Sequence, residues 1–285
     1  MPDTALTAAE RFFFGMMLYS FLGWVYESIL ESFRQKKPIN RGFLNGPYLP
    51  IYGLGSMMDV TLLGGIENPV LLFTTSSILT CTLEFMASVI MEKIFNLKWW
   101  DYTDFKFNIA GKSINVGKFN IQGRVCLAGA VAFGTLSILL VYFIHPLTVR
   151  LEDAIPPMYF HIACIVMLIV VILDLTITLC GFIGFNDKLG QLSNALEKAR
   201  SNMAGIKDNI DSRVAGSAAY EKITGSAAYE KITGIYAHFA ENLSSQQVRL
   251  INSFPQLRSI KYAKLTDELR NALKIRKRNK RKEKK

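Results

Sequence analysis

Histidine and cysteine are scarce in this chain, three and four among 285 residues. His145, His161 and His238 are scattered. Cys81, Cys126, Cys164 and Cys180 all fall inside apolar blocks, without metal-like spacing. Cysteine in such a block behaves as a small apolar residue, so neither a disulfide nor a zinc centre is expected. No Walker A loop, nucleophile elbow or zinc-binding helix can be found. Without a Walker A sequence the chain is not an ATPase subunit of the usual kind. Basic residues are also missing from particular connectors: 64–69 holds none and 145–158 a single Arg. The amino end has no basic n-region and no small-residue cleavage site, so the first apolar block is expected to persist as a helix.

What the chain has in abundance is apolar length. Half of it is hydrophobic, with mean hydropathy +0.22, and the apolar residues come in long blocks. Blocks of about eighteen or more apolar residues read as membrane helices. Such runs cover Phe12 to Phe33, Val70 to Phe95, Val125 to Ile144 and Tyr159 to Phe185. His145-Pro146 is expected to end the third of these, because the residue before proline disfavours helical geometry. The pattern predicts an all-α fold: a polytopic membrane bundle of about five spans over 1–186. A helical, partly coiled-coil cytoplasmic domain follows over 187–273, then a basic disordered tail over 274–285.

The remaining span is interrupted. Between Arg41 and Gly53 the chain reads RGFLNGPYLPIYG, with three glycines, Gly53 among them, and two prolines. Pro47 and Pro50 each remove an amide donor and fix φ. No regular helix runs through such a stretch. Irregular backbone at membrane depth survives only where protein or a wet cavity surrounds it. The apolar run continues to about Gly65, so this segment is expected to form part of a full crossing. Farther on, Phe107-Asn108-Ile109 and Phe119-Asn120-Ile121 look alike and point to a short hairpin within 96–122.

Lys and Arg concentrate in 33–46, in 96–122 and in the tail. Those regions alternate with the base-poor connectors, as five crossings require. The positive-inside rule then puts the amino end outside and the tail in the cytoplasm of the cell membrane. In the tail, Leu189, Leu192, Leu196, Ala199, Met203, Ile206 and Ile210 repeat at alternating three and four residues. That seam suits either a coiled coil, which would make a homo-oligomer, or a helix packed within one chain. Residues 216–224 and 225–233 are identical copies of GSAAYEKIT, read as a local duplication in a helical linker. Lys274 to Lys285 hold nine Lys or Arg and one Glu, a net of +8. This run suits an anionic lipid leaflet at about 1 kcal/mol per basic residue. No base-reading motif accompanies it, so nucleic acid is not an expected partner.

Four carboxylates sit at membrane depth: Glu27, Asp59, Glu84 and Asp174. At 1.5 Å per residue, Glu27 lies about 9 Å, and Glu84 and Asp174 about 16 Å, from the cytoplasmic ends of their helices. Insertion scales charge about 2.5–3.5 kcal/mol for each such group. Groups of this kind face a bundle interior or a cavity and mark a pathway. No basic residue lies within one turn on the same helix; Arg41 and Arg124, at cytoplasmic helix ends, are the candidate partners. Either an ion-pair network holds the helices in register, or the same groups line a polar cavity open to the cytoplasm.

Several motifs in order carry a resemblance over roughly 10–185. They are Gly23-Trp24-Val25-Tyr26-Glu27, the run from Asn40 to Pro47 with Pro50-Ile51-Tyr52-Gly53, Trp99-Trp100-Asp101-Tyr102 with Asn108, and Gly123-Arg124-Val125-Cys126-Leu127. In these the chain resembles the bacterial CmpB-like family of ABC-transporter type IV permeases. The resemblance implies a multi-pass membrane protein with a transport role and a separate ATPase subunit as motor. Combined with the carboxylates, it makes Glu27, Arg41, Asn45, Tyr52, Glu84, Asp101, Tyr102, Asn108, Arg124 and Asp174 the candidate substrate or ion ligands.

Three functions fit. A permease-like transport protein would bind a small cation or charged amphiphile in the cavity, without a cofactor, metal or catalytic group of its own. A membrane-embedded enzyme would hold a lipid or lipid-linked phosphate on Arg41 and Arg124 and move a proton with a carboxylate. A scaffold would work through the tail, with the membrane part as anchor. Transport is the leading expectation and enzymology the lesser one.

Overall fold

A computed structural model describes residues 3–103, 105–109, 112–211 and 232–282. The protein is all-α, with ten helices among these residues and only short strands. They are α1 (Asp3–Gln35), α2 (Pro50–Met58), α3 (Pro69–Phe95), α4 (Leu127–Leu139), α5 (His145–Ala154), α6 (Pro157–Phe182), α7 (Phe185–Asp211), α8 (232–241), α9 (Ser245–Ser253) and α10 (Ala263–Lys282). Two compact units share them. The first comprises Met1–Ile94, Lys98–Cys180 and Ser253–Gln256; the second comprises Phe95–Leu97, Gly181–Asn252 and Leu257–Lys285.

In the first unit, α1, α3, the continuous helix α4–α5 and α6 are each long and apolar enough to cross a membrane. Ile165, Val166, Ile169, Ile172, Leu173 and Ile177 of α6 are all exposed. A row of aliphatics this dense fits lipid rather than water. The chain is a polytopic membrane protein.

The segment between α1 and α3 passes the bundle in a different way. It runs back along α1, first extended and then helical. The Ile39 amide donates to Ser32 Oγ at 2.9 Å, the Arg41 amide to Ser28 Oγ at 3.2 Å and the Leu49 amide to the Ser20 carbonyl at 2.9 Å. Gly42 adopts φ +141°, open to glycine alone at little cost. Leu49 is extended, as the residue before proline prefers, and Pro50 occupies the first turn of α2, where its missing N–H costs nothing. Gly53 lets α2 press directly on α1: a Cβ there would stand 2.1 Å from the Met16 carbonyl oxygen. A π-helical turn, Asp59–Leu63, completes the pass. Asn68 then starts α3, its Oδ1 accepting from the Val70 and Leu71 amides.

Three sequence expectations change. The first helix begins at Asp3 rather than Phe12. His145-Pro146 does not end a helix. A π turn at Leu140–Ile144 widens the backbone ahead of Pro146, so the ring finds room and α5 continues to Ala154. The two Phe-Asn-Ile triplets do not pair with each other. Lys106–Ile109 pairs with Lys112–Asn115, and Asn120–Ile121 with Val125–Cys126, so each triplet enters its own hairpin.

The second unit has its own core. Leu192 and Leu196 of α7 bury against Tyr236 of α8, with Ile232, Ile235, Phe239, Leu265 and Ala272 around them. That half of the leucine seam is covered by the same chain. Arg270 on α10 donates to the Leu257 carbonyl at 2.7 Å and pairs with Asp267 at 2.9 Å. Helical backbone of α10 reaches Lys282, beyond the 273/274 boundary drawn from composition. The GSAAYEKIT copies lie almost wholly outside the described residues, as do the side chains of Met203, Ile206 and Ile210.

Candidate functional site

A cavity of about 320 Å³ opens inside the first unit. Its walls come from α1 (Glu27), the strap before α2 (Arg41, Phe43, Leu49), α2 and its π turn (Tyr52, Gly55, Ser56, Asp59), α3 (Thr80, Leu83, Glu84, Ala87, Met91), the loop after it (Trp99, Trp100, Tyr102), α4 (Phe133, Leu136, Ser137) and Phe254. Most of this lining is aliphatic or aromatic, with a few polar groups set into it, the usual make-up of a small-molecule site.

Three carboxylates face it. Glu27 has a partner on each oxygen: the Tyr52 hydroxyl donates to Oε1 at 2.7 Å, and Arg41 Nε lies 3.5 Å from Oε2. Glu84 is 8% exposed; the Tyr102 hydroxyl donates to its Oε1 at 2.9 Å, while Oε2 is buried without a hydrogen-bond partner among the described residues. Asp59 is 2% exposed. Its Oδ2 accepts from Ser76 Oγ at 2.9 Å and also from Ser137 Oγ; its Oδ1 has no partner among the described residues.

Arg41 is the one basic side chain in the lining among the described residues. Besides Glu27, it donates through Nη1 to the Ser253 carbonyl at 2.8 Å and lies over the Phe254 ring at 4.8 Å. Phe254 meets the edge of Trp99 at 5.0 Å, and Trp99 meets Phe43 at 5.2 Å. The carboxy-terminal half of the sequence therefore contributes one wall, through Ser253–Gln256. Gln256 Oε1 accepts the Asp101 amide at 3.0 Å.

Tyr102 sits in the loop after α3, and burial pushes its phenol far above the ordinary range. The nearby charges of Glu84 and Glu27 act the same way, against a smaller opposing effect of Arg41. It is a persistent donor at any working pH.

Five of the ten candidate residues thus meet in one cavity: Glu27, Arg41, Tyr52, Glu84 and Tyr102. Asn45 and Asp174 meet each other instead. Asp174 Oδ1 accepts the Asn45 amide at 2.9 Å and Asn45 Nδ2 at 2.8 Å, and Oδ2 accepts the Gly46 amide at 2.7 Å and the Tyr48 hydroxyl at 2.6 Å. Four donors around one carboxylate clamp the strap to α6. Arg124 pairs with Glu92 at 2.7 Å and donates to Ser88 at 2.9 Å. Asp101 organises its own loop, bonded to Lys98 at 2.8 Å and to the Thr103 amide at 2.9 Å. Burial works against its charge, but the Lys98 and Thr103 hydrogen bonds outweigh it and hold the carboxyl below its usual range. Asn108 lies in a hairpin strand opposite Ser113.

Sequence reasoning did not select Asp59, Ser76, Ser137 and Phe254. Asp59 carried a signal, as a fourth carboxylate at membrane depth. The serines and Phe254 carried none, because their meaning lies in what they touch.

Long apolar helices around a recess of buried carboxylates, walled in part by a Pro/Gly-interrupted segment, define a polytopic membrane protein with an internal polar site. Residues 12–179 match the family described as Putative ABC-transporter type IV, and the chain belongs to that family. Comparison with curated proteins and with solved structures returned no match.

Proposed function

We propose that the chain is a permease-like membrane transport protein whose cavity, facing the cytoplasm, binds a small cation or a positively charged amphiphile. One observation carries this reading. Glu84 Oε2 lies buried and unpartnered among the described residues, in the wall of an aromatic cavity. The guanidinium of Arg41 is already engaged by Glu27 and the Ser253 carbonyl. A buried carboxylate left in that state calls for a cation. Tyr52, Tyr102, Trp99, Trp100 and Phe133 supply ring faces and edges that favour an organic cation over an anion. An irregular, Pro-broken span beside buried charge is the arrangement transporters use for their sites.

The distribution of Lys and Arg supports an outside amino end, a cytoplasmic tail and residence in the cell membrane. Family membership supports a separate ATPase subunit as motor. The basic run from Lys274 favours an anionic leaflet. Oligomerisation through the tail would have to use the seam beyond Leu196, since Leu192 and Leu196 are covered within the chain. An enzyme acting on a lipid phosphate draws less support: it needs Arg41 and Arg124 together, and Arg124 is bound to Glu92 and Ser88.

The test is binding of a lipophilic cation such as tetraphenylphosphonium to the purified full chain, read by tryptophan fluorescence, with flux in proteoliposomes. Glu84→Gln should remove both while the protein stays monodisperse. Wild-type binding and flux in that variant would sink the proposal.

A further inference from the structure

We propose an inorganic cation site at Asp59, Ser76 and Ser137, holding one monovalent alkali cation. It is separate from the place of the organic guest at Glu84 and does not depend on that guest.

Asp59 opens the π turn that ends the interrupted span, and Ser137 lies just before the second π turn. The two turns pack against each other. Single π turns of this kind recur at functional sites. Ser76, on α3, completes the group; all three side chains are at least 97% buried, at 2%, 0% and 3% exposure. Asp59, Ser76 and Ser137 oxygens are mutually within hydrogen-bonding reach.

Among the described residues no basic side chain pairs with Asp59. Arg41, the one basic residue lining the cavity among the described residues, is taken by Glu27. Two hydroxyl protons reach Asp59 Oδ2, and none reaches Oδ1. Protonation on Oδ2, with a serine hydroxyl accepting, would cancel the charge but leave Oδ1 a buried acceptor with no donor among the described residues. A cation at Oδ1 removes both problems. A serine hydroxyl that donates its proton to Oδ2 keeps lone pairs for a metal ion, so the existing hydrogen bonds survive cation binding. Asp59 Oδ1, Ser76 Oγ and Ser137 Oγ then form one face of an oxygen shell, completed by water from the cavity that Asp59 and Ser137 line.

The donor chemistry sets the class of ion. No group of three or more His, Cys, Asp or Glu lies together among the described residues, so soft and borderline metals find no suitable set. Hard oxygens with a single carboxylate match one positive charge; a divalent ion would leave an excess charge in an apolar bundle. Buried carboxylates of membrane spans mark ion pathways as a class.

The experiment is equilibrium binding of ²²Na⁺ and of ⁸⁶Rb⁺ to the purified full chain in sodium- and potassium-free buffer, without organic guest. At least one should bind saturably, at one ion per chain. Asp59→Asn should abolish that binding. Ser137→Ala, which removes one ligand and retains the charge, should weaken it at least tenfold, with monodispersity checked for both variants. Glu84→Gln should keep alkali-cation binding while losing tetraphenylphosphonium. No saturable binding of either ion to the wild type overturns the proposal, as does wild-type affinity in a folded Asp59→Asn or Ser137→Ala. Joint loss of both ligands in Glu84→Gln would show one shared site and also overturn it. The transport reading fails on a different result, organic-cation binding that ignores Glu84.

Discussion

The Tyr102 hydroxyl donates to Glu84 Oε1 at 2.9 Å, tying the loop after α3 to the middle of α3 itself. This bond aims one carboxylate oxygen at a protein donor and leaves the other facing the cavity without a partner among the described residues. Removing the donor should therefore change the site more than the fold of the helix.

Tyr102→Phe leaves Glu84 with no phenolic donor, a loss of about 1–3 kcal/mol for a buried acceptor. Lipophilic-cation affinity should change measurably, with the helical content by circular dichroism unaltered. The wild type should also show an alkaline limit. Because the folded phenol titrates far above the unfolded one, the stability it contributes is complete below the ordinary phenol range near pH 10. It is lost as pH rises from there toward the folded pKa. Thermal unfolding against pH should show that loss, and Tyr102→Phe should flatten it.

Asn45→Ala should loosen the strap. It removes the side-chain donor to Asp174 Oδ1 and Thr178 Oγ1 while keeping four other donors to the carboxylate, three from the strap and the Thr178 hydroxyl. Destabilisation of about 1–3 kcal/mol is expected, seen as a lower melting temperature in detergent. Hydrogen exchange should rise in 41–49 and leave α4 unaffected.

Gly53→Ala should act through packing alone. The added methyl would collide with the Met16 carbonyl and with Ser20 Oγ, at 2.1 and 2.2 Å. A backbone oxygen cannot rotate away, so α1 and α2 must separate, at about 1–3 kcal/mol or more. A stability matching the wild type in a melting experiment would contradict the close approach.

Asp101 sets an acid limit on its loop. Burial opposes its charge, yet the Lys98 and Thr103 hydrogen bonds leave its folded pKa below the unfolded value near 4. Its contribution is therefore present above that unfolded value and is lost as pH falls toward the folded one. Limited proteolysis within 97–126 should accelerate on acidification, and Lys98→Ala, which brings the folded pKa toward the unfolded one, should flatten that dependence.

Much of the fold was legible because lipid is a demanding solvent. A helix is the simplest way to satisfy backbone groups there, so apolar length alone located α1, α3, α4 and α6. The Pro/Gly pattern marked the interrupted segment between α1 and α3 for the same reason: Pro47 and Pro50 exclude a continuous helix. His145-Pro146 misled, because a π turn can absorb a proline, and such a turn depends on packing rather than on a local signature. Glu27, Arg41, Tyr52, Glu84 and Tyr102 were legible as a set because buried polar groups must find partners. Arg124 and Asp174 obeyed that rule too, but with Glu92 and the Asn45–Tyr48 strap, partners that spacing along the chain cannot name.

The sequence by itself determined the class of molecule, the irregular span and the number of charges that burial would have to accommodate, since each follows from composition along a single segment. Only the tertiary structure decided which carboxylates are answered and which are not. Asp174 receives five hydrogen bonds, four from the strap and one from Thr178, while Glu84 and Asp59 each keep an oxygen without a partner among the described residues. That division depends on distances between residues far apart in the chain. Electrostatic and hydrogen-bond energies fall away over a few ångströms, so proximity in space, which sequence order does not encode locally, assigns each charge its partner.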